Sequence, residues 1–224
     1  MKNLIKNNYL VFAFYLVLIF TGLFFILNYS KVQIHLYINQ WVGNPIYDMF
    51  FKYITLIGDG WFVPFFIILM ALINIRLAIT CLISFAFAVV ITLILKFVFF
   101  DDVVRPWYTF QWIVHEKLNY VNDVNLYLYN SFPSGHSTQA FALLIPFMLF
   151  IKSNSIKYFI LLISLLAAFS RTYLSMHWLE DVVVGSLIGY TVAIVVYNYI
   201  FNKNKFTMLN VPLLKYINSI NNAK

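Results

Sequence analysis

Leu165-Leu166-Ala167-Ala168-Phe169-Ser170-Arg171-Thr172-Tyr173-Leu174-Ser175-Met176-His177-Trp178-Leu179-Glu180-Asp181-Val182-Val183-Val184 sets an arginine, a histidine and two carboxylates between two long apolar runs. A charged side chain at bilayer depth costs about 2.5–3.5 kcal/mol on insertion scales, so such groups persist mainly where they face one another, water or a substrate. The stretch therefore predicts two membrane-spanning helices joined by a polar turn, with the chemistry gathered at that turn. Two further polar clusters also stand where apolar runs meet loops: Pro133-Ser134-Gly135-His136, and Lys96 with Arg105-Pro106.

The surrounding composition agrees. The chain is 62% hydrophobic, 20% aromatic and 10% charged, far from the soluble-domain average. Segments 28–48, 101–135 and 202–224 lack a spanning pattern and are too short to close a core of their own. One integral membrane domain over residues 1–224 is expected. A span needs about 20 apolar residues, which places helices near Tyr9–Leu27, Phe50–Ile73, Leu77–Phe100, Ser137–Ile151, Tyr158–Ser175 and Trp178–Phe201. The predicted fold is thus an all-α, polytopic bundle of six transmembrane helices. Lys52, Gly58, Asp59 and Pro64 interrupt the second run, which reads as an interfacial segment that spans only from Trp61. The fourth run is short and is extended by the Pro133–His136 stretch. The first run follows Lys2 and Lys6, but it is too long for a secretory signal and ends without a small-x-small cleavage site. Cys81 has no partner for a disulfide or a thiolate metal cluster, and reads as a packing residue.

Charge orients the bundle. With an even number of spans both termini share one side, which receives Lys2, Lys6, Arg76, Lys152, Lys157, Lys203, Lys205, Lys215 and Lys224, nine of the 15 basic residues. All 8 carboxylates and all 4 histidines fall on the other face or the helix ends nearest it. Excess lysine and arginine marks the cytoplasm, so both termini, and a tail over 202–224, are expected inside. The net charge of +7 then reflects orientation and anionic-lipid attraction. The basic residues are scattered over separate loops and form no nucleic-acid stripe.

This topology gathers the polar clusters on the outer face. His177 and Asp181 are four apart, a spacing that stacks side chains on one helical face; a carboxylate there can orient the imidazole and leave its other nitrogen presented outward. Pro133-Ser134-Gly135-His136 precedes an apolar helix, whose free N–H groups and positive dipole end form an anion nest; a capped helix start is the plainer reading. Two pairings are open to Arg171: a protein acid such as Glu180 or Asp181, or a bound anion gripped by its fork. Lys96 can snorkel to the interface, and Arg105 can pair with Asp101 or Asp102. Together, three cations, an anion nest, one oriented histidine and a second histidine are the parts needed to hold a phosphoryl group and replace its ester oxygen.

Pro-Ser-Gly-His at 133–136 followed by Ser-Arg-x5-His-x3-Asp at 170–181 resembles the signature of the type 2 phosphatidic acid phosphatase superfamily, which also includes soluble vanadium haloperoxidases. Lys96 with Arg105-Pro106 resembles its first motif, though eight residues separate the two cations where six is commonest; Lys117 is an alternative to Lys96. The resemblance implies that His177 attacks phosphorus to give a phosphohistidine and that Asp181 orients it. It implies that His136 protonates the leaving oxygen and then activates water, while Lys96, Arg105, Arg171, Ser134 and Gly135 hold the nonbridging oxygens. It also implies chemistry without metal or cofactor. The expected partner is a phosphorylated lipid in the bilayer: phosphatidic acid, phosphatidylglycerol phosphate, undecaprenyl diphosphate or lipid A. The compact plan suggests a bacterial cytoplasmic membrane, with the site facing the periplasm or exterior. Trp107, Tyr108, Phe110 and Trp112 read either as an interfacial flap over the site or as headgroup-level anchors. Competing readings are a transporter or proton conductor, a bis-histidine haem protein, and a metal hydrolase using His136, His177, Asp181 and Asp101.

Overall fold

A computed structural model describes residues 2–221; Met1 and residues 222–224, Lys224 included, lie outside the described residues. Those described are helical with no strand. They comprise α1 (Lys2–Asn28), α2 (Lys31–Asn39), α3 (Pro45–Ile54), α4 (Phe62–Ile73), α5 (Ile75–Ile94), α6 (Pro106–Thr109), α7 (Gly135–Phe150), α8 (Asn154–Tyr173), α9 (Leu179–Tyr197) and α10 (Leu213–Asn221).

Local chemistry sets the helix starts. Ser30 and Gln33 form a reciprocal capping box at α2, Asn44 caps α3 ahead of Pro45, and Asn74 caps α5 through the Leu77 amide. Each side-chain oxygen satisfies an amide that the first helical turn leaves unpaired. The helix formed by residues 31–39 falls inside a segment without a spanning pattern, and at 9 residues it is too short to cross.

Four helices are long and apolar enough to span: Leu4–Asn28, Ile75–Phe99, Asn154–Tyr173 and Leu179–Phe201. The second expected span is interrupted where its Gly58 and Asp59 predict, but it is a bent pair. Pro45–Gly58 and Phe62–Ile73 meet at 68°, and α4 alone, with 12 residues, is only about 18 Å long. Counting that pair gives up to 5 spans. The fourth expected span is α7, whose 16 residues give about 24 Å, short of the usual requirement.

That short helix is the centre of the bundle. It packs against α5, α8 and α9, and Ala140, Phe141, Ala142, Leu143, Ile145 and Met148 are buried around its circumference. Cys81 lies in the same apolar core, as its place in the third run predicts. By contrast α1 turns Leu16, Val17, Phe20 and Phe24 outward, the face a bilayer would cover. Small residues let α9 approach α7 closely. A Cβ on Gly185 would stand 2.5 Å from the Ser134 carbonyl oxygen, and one on Gly189 would collide with the Thr138 carbonyl. Gly58 does the same for the bent pair, since its Cβ would lie 2.6 Å from the His136 carbonyl oxygen. These contacts fix how the polar ends of α3, α7 and α9 meet.

Candidate active site

His177 sits in the turn between α8 and α9, 2% exposed. Its Nδ1 is 3.2 Å from Asp181 Oδ2, the i,i+4 pairing its spacing predicts. The same carboxylate oxygen accepts the Trp178 backbone N–H at 3.0 Å and the Ser131 hydroxyl. Asp181 is fully buried and acceptor-only when ionised, so it holds the Nδ1–H tautomer and leaves the Nε2 lone pair facing the other way. On that side Arg105 Nη1 lies 3.3 Å from Nε2. Burial first, then the Arg105 charge, hold the His177 imidazole well below its ordinary pKa; it is neutral, and therefore nucleophilic, at neutral pH.

Arg105 is anchored by backbone. It donates from Nε to the Tyr129 carbonyl at 2.8 Å, from Nη1 to the Met176 carbonyl at 2.9 Å and from Nη2 to the Asn130 carbonyl at 3.2 Å. Its guanidinium carbon lies 5.3 Å from the Tyr127 ring centroid. Burial lowers its pKa, and nearby Asp181 opposes that shift. Asp101 and Asp102, the acids its sequence position offers, are exposed and unpaired with it.

Arg171, 5% exposed at the end of α8, donates from Nη1 to Thr55 Oγ1 at 2.9 Å. Its Nε is buried and without a hydrogen-bond partner among the described residues. Among those residues neither Glu180 nor Asp181 forms an ion pair with it. Lys96, half-buried in a π-helical turn over Leu95–Phe99, is electrostatically coupled to Arg105, Asp181 and Arg171. Lys117 is exposed on the loop that precedes α7. The longer spacing to Arg105 is thus taken up partly by the π turn, which carries an extra residue per turn, and Lys96 stays with the cluster.

The remaining motif residues open α7. Ser134 is its N-cap: the Ser134 hydroxyl accepts from the Ser137 hydroxyl at 2.8 Å and from the Ser137 amide at 3.4 Å. Its own proton is left to donate. The Ser134 amide donates to the Asp181 carbonyl at 3.0 Å, which ties the two motifs together directly. Gly135 is the first helical residue, and a Cβ there would come no nearer to Thr92 than an ordinary 4.0 Å; the glycines where a Cβ would meet backbone are Gly58, Gly185 and Gly189. His136 follows, coupled electrostatically to Arg171, His177, Arg105 and Lys96. Among the described residues no group of three or more His, Cys, Asp or Glu is placed to hold a metal ion, so the metal-hydrolase ligand set does not assemble.

Several contributors carry no signal in the linear sequence. Ser131 reaches Asp181 across 50 residues, and Thr55 reaches Arg171 across 116. Tyr127 belongs to the aromatic loop and faces Arg105. Gly185 and Gly189, four apart on one helix, are a spacing that could have marked a small-residue face of the kind that lets spans pack closely.

An oriented neutral imidazole facing buried cations, held at one end of a bundle with membrane-length helices, defines a membrane phosphoric ester hydrolase. The chain belongs to the PAP2 superfamily, whose family model matches residues 77–205. Two solved structures share the fold. LpxE of Aquifex aeolicus is 24% identical, with a TM-score of 0.62 over 77% of this chain and 98% of that one. A transmembrane PAP2 type phosphatidylglycerolphosphate phosphatase from Bacillus subtilis is 22% identical, with a TM-score of 0.55 over 89% of this chain and 96% of that one. No curated protein matches the sequence.

Proposed function

We propose that this protein is a membrane lipid phosphatase that cleaves a phosphomonoester or pyrophosphate on a lipid headgroup through a phosphohistidine. The observation that carries the proposal is the cationic surroundings of His177: Arg105 Nη1 lies 3.3 Å from Nε2, and the charges of Arg171 and Lys96 also act on the ring. Arg105 and Arg171 are buried with no carboxylate bridge among the described residues. Uncompensated buried charge is costly, and a phosphate with several oxygens offsets it through charge-assisted bonds.

In the proposed reaction, His177 Nε2 forms a bond to phosphorus as the bond to the leaving oxygen breaks. His136 gives that oxygen a proton. Asp181 stabilises the imidazolium character that develops, while Arg105, Arg171 and Lys96 hold the nonbridging oxygens with the Ser134 hydroxyl and the Gly135 N–H. Water then attacks phosphorus and passes a proton to His136, the P–N bond breaks, and inorganic phosphate leaves with His177 neutral again. No step calls for a metal or cofactor.

The reading extends to topology. Residues 151–153 alone join α7 to α8, and the first turn of α7 is bonded to the first turn of α9. In this reading α7, tied to its neighbours at both ends, serves as a short sixth crossing, with both termini cytoplasmic and the site on the opposite face. In a bacterial cytoplasmic membrane that face is the periplasm or exterior. A headgroup reaches it laterally, without leaving the bilayer. Phosphatidic acid, phosphatidylglycerol phosphate, undecaprenyl diphosphate and lipid A all fit this chemistry, and the Bacillus subtilis structure adds weight to phosphatidylglycerol phosphate.

The test is phosphate release from these four lipids in detergent micelles. His177→Ala is expected to lower turnover at least about a thousandfold, and His136→Ala about 10²–10⁴-fold, both while remaining folded. Turnover at the wild-type rate by either variant would refute the assignment. Base-quenched ³²P-labelled substrate should leave acid-labile label on the wild type; acid-stable label would instead indicate a serine nucleophile.

A further inference from the structure

The turn that carries His177 has an unusual end. Helix α8 closes with two paired bonds: the Met176 amide donates to the Arg171 carbonyl at 2.9 Å, and the Ser175 amide to the Thr172 carbonyl at 3.0 Å. This is a Schellman closure, and its left-handed position is usually glycine. Here it is Ser175, at φ 55°, a conformation that side-chain-bearing residues adopt only when their surroundings hold them. The Arg171 carbonyl also accepts the His177 amide at 3.1 Å. The closure is therefore the backbone link between the arginine fork and the histidine.

Something outside the turn grips Ser175. Its side chain is 2% exposed, and its Oγ lies 3.0 Å from Nε2 of His35, itself 1% exposed. His35 projects from α2, the short helix lying outside the spans. Its ring sits 5.5 Å from the rings of Trp178 and Phe110. Val32 and Leu36 from the same helix pack on that aromatic pair. His35 Nδ1 is buried without a hydrogen-bond partner among the described residues. An unpaired acceptor there is cheaper than an unpaired N–H, which places the ring proton on Nε2, donating to Ser175.

We propose that His35 is a positioning residue: its bond to the Ser175 hydroxyl locks the left-handed turn that sets Arg171 and His177 in register. The proposal rests on the phosphatase reading given above. It explains a serine where glycine would be relaxed, because glycine would lose the hydroxyl that the tether needs. Burial pushes the His35 pKa down to about 4, so the tether is neutral and permanent at working pH.

Glutamine can place an amide N–H where Nε2 stands, whereas asparagine reaches only the Nδ1 position; this separates the hydrogen bond from mere filling of space. In the purified full chain, His35→Asn and Ser175→Gly are expected to lower kcat by about 10–100-fold with KM held within about twofold. His35→Gln should recover most of the loss, and Ser175→Gly should remain folded, since glycine relaxes the turn and so offsets part of the cost of leaving the buried His35 N–H without its acceptor. Equal rates for His35→Asn and His35→Gln, or wild-type kcat in Ser175→Gly, would overturn the proposal. The His177 ring resonances in ¹⁵N-histidine spectra give a second readout independent of turnover. They should move in His35→Asn and Ser175→Gly and stay put in His35→Gln. If the wild type releases phosphate from none of the four lipids, the phosphatase reading fails by itself. The spectra then still decide the tether: a shift confined to His35→Asn and Ser175→Gly supports it, and no shift overturns it.

Discussion

Asp181 Oδ2 collects the His177 ring, the Trp178 amide and the Ser131 hydroxyl, so one carboxylate fixes both the tautomer and the entry of α9. The His177 and Asp181 pair was legible from spacing alone because both residues lie on one chain segment. Its supports were not: Ser131 and Thr55 arrive from distant segments, and no periodicity links them to their partners. His35 was equally silent, being one histidine in a short helix within a segment that has no spanning pattern. Its burial gives a pH prediction with a defined sign. With a folded pKa of about 4 against an ordinary 6.5, the folded state stays unprotonated while the unfolded chain takes up a proton below pH 6.5. Stability is therefore full above about pH 6.5 and falls as pH drops toward 4, by up to about 1.4 kcal/mol per unit from this group. His177, also held low, contributes in the same direction. Melting of the full chain in detergent from pH 7 to 4.5 should show this acid slope. The slope should be shallower in His35→Gln, which cannot titrate; equal slopes would contradict it.

Helix contacts decide how the two histidines meet, and here glycine placement matters more than apolar periodicity. The apolar runs located the four membrane-length helices to within a few residues, because burial and lipid contact both select for hydrophobicity over a whole helix. They could not reveal the 68° bend between α3 and α4, which depends on Gly58 seating against His136. Nor did they mark α7 as the buried hub. Its run looked short when read as a crossing, yet it is apolar on every side because helices, not lipid, surround it. Gly189 supplies the test at this scale. An alanine Cβ there would meet Thr138, Phe141 and Ala142 on α7. Glycine-to-alanine changes within a helix ordinarily stabilise by about 1 kcal/mol. Gly189→Ala is expected to reverse that sign and destabilise by about 1–3 kcal/mol through overpacking, with phosphate release falling alongside as α7 carries His136 away from His177. Gly60→Ala, whose Cβ meets nothing within 4 Å, is the control and should melt and turn over like wild type. A Gly189→Ala protein as stable and active as wild type would mean that this contact does not position the site.

At the scale of the whole molecule, the proposed orientation and the proposed chemistry depend on one another. The basic residues assigned to the cytoplasmic side are not only orientation signals. Arg76 donates to the Ile200 and Lys205 carbonyls at 2.6 and 2.7 Å, and Lys157 donates to Asn8 at 2.7 Å, so two of them also cap and join helices at that end. The tail beyond Phe201 folds onto the same end, with Ile75 donating to the Val211 carbonyl at 3.0 Å. Arg105, Arg171 and Lys96 stand instead with the histidines at the opposite end. If α7 crosses, the aromatic loop and the tail lie on opposite sides of the membrane; if it does not, α8 and α9 invert and the proposed outer site loses its route to outer-leaflet lipid. Single cysteines separate these cases. Lys117 and Lys215 are both exposed, on the loop and the tail, and the native Cys81 is fully buried in the core, so background labelling should be low. In intact cells a membrane-impermeant maleimide is expected to label Lys117→Cys and to leave Lys215→Cys unlabelled until the membrane is permeabilised. Labelling of both positions in intact cells would refute six crossings. The reverse pattern would put the catalytic end in the cytoplasm, leaving the chemistry possible but making its substrate a lipid of the inner leaflet.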